Sequence, residues 1–168
     1  APVRRVTING GQPMRAWYDI LGADLGKRED ETGVRDSMQQ VGQLIEREVA
    51  RGVPAGRIVL AGFSQGCAIA LGAGLRHPER LAGLVGLSGY VPLADTTVAE
   101  RHASSQGLPV FLAHGRSDGI VPLARGTAGR DLLKVLGCDV AWHDYPMEHS
   151  VCMEEVVALN RWLLKVLA

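Results

Sequence analysis

Apolar positions fall into two patterns along this chain, and the patterns alternate. Residues 58–60 (IVL), 81–88 (LAGLVGLS), 108–113 (LPVFLA) and 140–145 (VAWHDY) are short, largely apolar runs, as expected of strands buried on both faces. Between the runs, apolar residues recur at helical spacing. Val34, Met38, Val41, Leu44, Ile45 and Val49 mark a long amphipathic helix, because one face then carries every apolar side chain. A helix of small residues follows Gly66 and stops at Pro78, and another opens at Val121-Pro122 and ends near Leu136, before Gly137. A last helix spans 151–167, with Ser150 as its candidate cap. Strand and helix alternate four times, which predicts an α/β fold: a mostly parallel sheet with right-handed crossovers and flanking helices.

Other stretches follow neither pattern. Residues 3–8 (VRRVTI) are a short extended piece that ends at the turn signal Asn9-Gly10-Gly11. Residues 12–21 carry Met14, Trp17, Tyr18 and Ile20 without a clear period, and read as an irregular loop with apolar anchors. Residues 27–32 are polar and acidic and predict a helix start, with Asp30 or Thr32 as cap. Residues 90–106 form a long polar loop region holding a short helix around 97–104. Long loops at strand ends tend to shape binding sites.

Composition narrows the classes. At 168 residues the chain is read as one domain, 1–168. Its 18 basic and 18 acidic side chains cancel without a basic cluster, which argues against nucleic acid or an anionic membrane surface as partner. No apolar run is long enough for stable insertion across a bilayer. Cys67, Cys138 and Cys152 share no metal-ligand spacing, and their odd number favours reduced thiols in a cytoplasmic protein over a disulfide framework.

The chemistry concentrates in residues 57–78 (RIVLAGFSQGCAIALGAGLRHP), where Gly62 and Gly66 bracket Ser64 in the pattern G-x-S-x-G. Glycines are needed there because a serine on a tight strand-to-helix turn leaves no room for neighbouring Cβ atoms. The turn lifts the hydroxyl clear of the sheet, and the helix behind it offers free N–H groups to an anion. A serine hydroxyl needs a base to take its proton, and the base needs an orienting carboxylate. Asp118 follows the end of the third predicted strand and His149 the end of the fourth. Both therefore fall on the same sheet edge as Ser64. Asp131, Asp139 and Asp144 lie within a helix or beside a strand, and His143 lies in mid-strand. His77 and His102 read as surface residues, and His114 as a structural histidine. For the oxyanion, the backbone N–H of Gln65 is the first donor. Residues 21–24 (LGAD) are a weak candidate for a second, since no buried strand precedes them.

Taken together, these residues resemble the carboxylesterase and acyl-protein thioesterase family, a lidless branch of the α/β-hydrolases. The resemblance rests on residues 6–11, Met14, 17–20, 57–66, His114-Gly115 with Asp118, Val121-Pro122, and 145–147 with His149. It implies Ser64 as nucleophile, Asp118 as acid and His149 as base. It also implies short- to medium-chain esters, thioesters or lysophospholipids as small-molecule substrates, and no cofactor. Trp17 either plugs the edge of the core or, with Met14, lines an acyl pocket. Cys67 and Glu148 stand where the family usually has glycine. Family members also carry an earlier strand that supplies a second oxyanion donor and lies beside the elbow strand. The sequence begins after that strand, so the expectation is an exposed apolar edge, covered by more of a longer protein or by another chain. The alternative reading is a catalytically impaired α/β-hydrolase-like domain that binds an acyl ligand or a partner.

Overall fold

The computed structural model describes residues 1–22 and 29–168. Chain order opens with an antiparallel hairpin, β1 (Val3–Val6) and β2 (Gln12–Arg15), followed by the long helix α1 (Glu31–Ala50). Strand and helix then alternate: β3 (Val59–Phe63), α2 (Gln65–Arg76), β4 (Gly83–Leu87), α3 (Ala94–Glu100), β5 (Pro109–Gly115), α4 (Leu123–Val135), β6 (Asp139–Tyr145) and α5 (Met153–Val166). The four later strands form one parallel sheet in the order β3-β4-β5-β6.

Alternation along the central strands sorts the core into two layers. Leu84, Val110 and Leu112 face one way and pack with Leu71 and Leu75 of α2, Ile45 of α1 and Leu133 of α4. Val85, Phe111 and Ala113 face the other way, against Ala158, Leu159 and Trp162 of α5. Period-2 side-chain geometry in β4 and β5 thus fixes which helices cover which face. Helix α2 is buried along nearly its whole length, and small residues permit this. A Cβ at Gly74 would overlap the Leu84 side chain, so the helix lies against the sheet closer than any larger residue would allow.

Helix α1 starts where the sequence places it. Asp30 is the cap, its Oδ1 accepting the Gly33 N–H at 3.0 Å. Three other expectations are corrected. Residues 12–15 pair as a strand and not as an irregular loop. All four β2 side chains are exposed, so no alternation betrays the strand, while Gly10 and Gly11 (φ 65° and 73°) supply the turn. Ser150 does not cap α5: its N–H bonds the Glu148 carbonyl at 2.9 Å, and the helix starts later, behind an extended Cys152. His77 is buried, with Nδ1 held 3.0 Å from the Glu79 carbonyl oxygen, against the surface position expected for it. The weak oxyanion candidate at 21–24 lies partly outside the described residues.

Among the described residues β3 pairs with β4 alone, so the strand that carries the serine is an edge of the sheet. Ala61 and Phe63 are exposed on it. No helix among the described residues is long and apolar enough to cross a membrane.

One buried carboxyl stands apart. Glu155, in the first turn of α5, is fully buried, and among the described residues neither of its oxygens finds a hydrogen-bond partner. Burial raises its pKa above the ordinary 4.5, and the nearby Cys152 N–H offsets only part of that rise. The folded protein therefore holds this proton more tightly than the unfolded chain. Stability from this group is fully present at acid pH and declines as pH climbs from about 4.5 through the raised value. Glu155→Gln removes the titrating proton. Denaturant midpoints measured from pH 4.5 upward are expected to show the variant gaining on the wild type as pH rises; a constant gap would contradict this.

Candidate active site

Ser64 stands between the end of β3 and the first residue of α2, at φ 55° and ψ −119°. This region is sparsely populated for a residue with a Cβ, and it persists only where the surroundings hold it. Two contacts do so. The Ser64 N–H donates to the Leu87 carbonyl at 2.9 Å, which ties the turn to β4. Gly62 runs against the start of α2 so closely that a Cβ there would overlap the Gly66 carbonyl and come within 2.5 Å of the Cys67 nitrogen.

The three residues singled out from the sequence are brought together. His149 Nε2 lies 3.0 Å from Ser64 Oγ, and His149 Nδ1 lies 2.8 Å from Asp118 Oδ2. Asp118 is buried and anchored by main chain: its Oδ1 accepts the N–H groups of Ile120 and Val121 at 2.9 and 2.8 Å. Burial pushes its pKa upward, but the His149 hydrogen bond and the two backbone N–H groups outweigh it and hold the carboxyl below its ordinary 3.8. Asp118 is thus a carboxylate beside the imidazole. The Phe63 ring packs on His149, centroids 4.7 Å apart.

The loops that carry Asp118 and His149 are stitched to one another. Arg116 N–H donates to the Tyr145 carbonyl at 2.8 Å, and Ser117 N–H to the Met147 carbonyl at 3.1 Å. Gly115 lets this happen, because a side chain there would strike the carbonyls of Met147 and Glu148. His114 is buried below them, its Nε2 2.8 Å from the Val121 carbonyl. Glu148 is exposed, and among the described residues it makes no hydrogen bond or ion pair with His149. Asp131 and Asp144 pair with Arg130 and Arg116, and His143 stacks on Phe111 at 4.9 Å. Cys67 is buried in the turn behind the serine, where burial pushes its thiol up to about 12, so it is not a thiolate.

A cavity of about 880 Å³ opens beside Ser64, between the hairpin, β3 and α2. Trp17 and Met14 both line it, together with Ile8, Leu60, Ile69 and Ile120. Its position was not legible from spacing, since the hairpin that forms one wall carries no periodic signal. The Gln65 side chain was also missed. Its Oε1 accepts the Trp17 N–H and its Nε2 donates to the Tyr18 carbonyl, both at 2.9 Å.

The profile of the phospholipase/carboxylesterase family matches residues 1–167. The chain belongs to that family. Membership makes it an enzyme, a serine hydrolase of the carboxylesterase type, within the α/β-hydrolase fold. It is 39% identical over 167 residues to an acyl-protein thioesterase 1 from Yarrowia lipolytica, covering 97% of this chain and 74% of that protein. The corresponding protein of Neurospora crassa is 40% identical over 171 residues, covering 97% of this chain and 70% of that protein. Among solved structures, Arabidopsis thaliana SOBER1 superimposes over 100% of this chain and 81% of its own, with TM-score 0.94 at 29% identity. Zea mays acyl-protein thioesterase 2 does so over 100% of this chain and 79% of its own, with TM-score 0.88 at 29% identity.

The close approach at Gly62 yields a sharp expectation for this family member. Gly62→Ala sets a methyl against backbone that cannot yield, so destabilisation of about 1–3 kcal/mol or more is expected. Chemical denaturation measures it; a variant within about 1 kcal/mol of wild type would contradict the packing argument.

Proposed function

We propose that the chain hydrolyses short- to medium-chain carboxylic esters and thioesters through an acyl-enzyme on Ser64. The observation that carries this reading is the unbroken line Ser64 Oγ, His149, Asp118, with contacts of 3.0 and 2.8 Å, at a strained strand-to-helix turn. In the first step His149 Nε2 takes the Ser64 proton as Oγ attacks the acyl carbon. The alcohol or thiol leaves with that proton. Water, deprotonated by the same imidazole, then releases the acid and restores Ser64. Asp118 stays ionised and stabilises the imidazolium formed in each half-reaction. The Gln65 N–H, at the first position of α2 and so without an intrahelical partner, donates to the developing oxyanion.

The apolar cavity against Ser64 supports an acyl chain as the group recognised, with Trp17 and Met14 in its wall. Names of the longer relatives add acyl thioesters to the candidate substrates. Each buried methylene contributes at most about 0.8 kcal/mol, so kcat/KM should rise by up to roughly fourfold per methylene until the chain outgrows the cavity.

A fluorophosphonate probe tests the nucleophile, and a series of 4-nitrophenyl esters tests the cavity. Labelling is expected in the wild type and in Cys67→Ala, and is expected to vanish in Ser64→Ala. Labelling that survives Ser64→Ala, or its absence from the wild type, refutes the reading; the latter favours a domain that binds an acyl ligand without turning it over.

A further inference from the structure

Resting on the serine-hydrolase reading, we propose that the side-chain amide of Gln65 is a positioning group that aims the oxyanion donor on its own backbone. Both of its functions bind one short piece of main chain. Oε1 accepts from the Trp17 N–H and Nε2 donates to the Tyr18 carbonyl, each at 2.9 Å and across sequence separations of 48 and 47 residues. That piece is itself fixed. The buried Ser37 hydroxyl donates to the Trp17 carbonyl, the buried Tyr18 hydroxyl pairs with that of Tyr90 at 2.9 Å, and Asp19 Oδ1 accepts the Thr7 N–H at 2.6 Å.

The geometry makes this clamp act on turnover. The amide and the oxyanion N–H sit on the same residue, and that N–H belongs to the peptide that follows the Ser64 ψ of −119°. A peptide at a strained torsion relaxes unless something opposes it. Holding the Gln65 side chain in two places sets the rotation of that peptide and so the direction of its N–H. Misplacement by about 1 Å at a reacting centre can lower rates on the order of a hundredfold. The same clamp reaches Trp17 in the cavity wall, so a single amide joins acyl recognition to charge stabilisation.

Two substitutions separate positioning from mere adhesion. Gln65→Met keeps the length and loses both hydrogen bonds. Gln65→Glu keeps both only while protonated: a neutral carboxyl accepts through C=O and donates through O–H, whereas its anion faces the Tyr18 carbonyl with a second acceptor. Kinetics with 4-nitrophenyl acetate, whose acyl group is too short to sample much of the cavity, are measured from pH 5 to 8 beside melting temperature. The titratable and charged groups around the turn are His149 and Asp118, Cys67, the Tyr18 and Tyr90 hydroxyls, and Glu29 and Arg125 beside those tyrosines, all present in each of the three proteins. Gln65→Met, which adds no ionisable group, is the reference against which the pH dependence of Gln65→Glu is read.

For Gln65→Met, kcat is expected to fall roughly 10- to 100-fold with KM within about threefold, at every pH. For Gln65→Glu, the kcat ratio to wild type is expected to climb toward unity as pH falls. Wild-type kcat in Gln65→Met, a loss confined to KM, or a Gln65→Glu ratio that does not change with pH overturns the inference. Should Gln65→Met not fold, the Gln65→Glu ratio decides alone. A wild type without Ser64-dependent turnover removes the serine-hydrolase reading, and this inference with it.

Discussion

Where β3 runs into α2, the Cα of Gly62 passes so near the Gly66 carbonyl that no side chain fits between them. That approach forces the intervening residue into a conformation it would not choose, and Ser64 at φ 55° is the result. The strain is sustained by packing elsewhere. Helix α2 is pressed onto the sheet through alanines and glycines, with α1 behind it, so the turn cannot open without disturbing the larger core layer. Hydroxyl exposure at the rim is therefore a property of helix–sheet packing as much as of the turn.

Main chain, more than side chain, holds the rest of the site. Asp118 is gripped by two N–H groups of its own loop, and that loop is hydrogen-bonded to the one bearing His149. Backbone donors cost little to preorganise, because their positions follow from strand ends that the sheet register already fixes. The carboxylate remains charged although buried for the same reason. Burial without those donors has the opposite effect, as Glu155 in α5 shows.

What could be read from the sequence follows how local each signal is. The parallel strands were legible because strands covered on both faces leave near-continuous apolar runs, and Ser64, Asp118 and His149 because each follows such a run at a short interval. Helix α1 showed itself by its apolar stripe and by Asp30 ahead of it. The first strand of the hairpin and its turn at Gly10 and Gly11 were legible, but the second strand was not, because a wholly exposed strand needs no alternation. The cavity and the Gln65 clamp join residues nearly fifty positions apart, and no local pattern encodes such a contact. His77 escaped notice because its burial depends on how the chain turns after α2 and not on its immediate neighbours.

Among the described residues, the strand leading into Ser64 is an edge strand. Interior strands are restrained along both flanks, whereas among the described residues β3 is tethered along one, through β4. Its outward amides, like those of β6 at the opposite edge, are thus expected to exchange faster than the amides of β4 and β5. A polypeptide that docked along that flank would stiffen the arm holding the hydroxyl while touching neither imidazole nor carboxylate. In such an arrangement, mechanical bracing of one strand and speed of the chemistry become linked quantities.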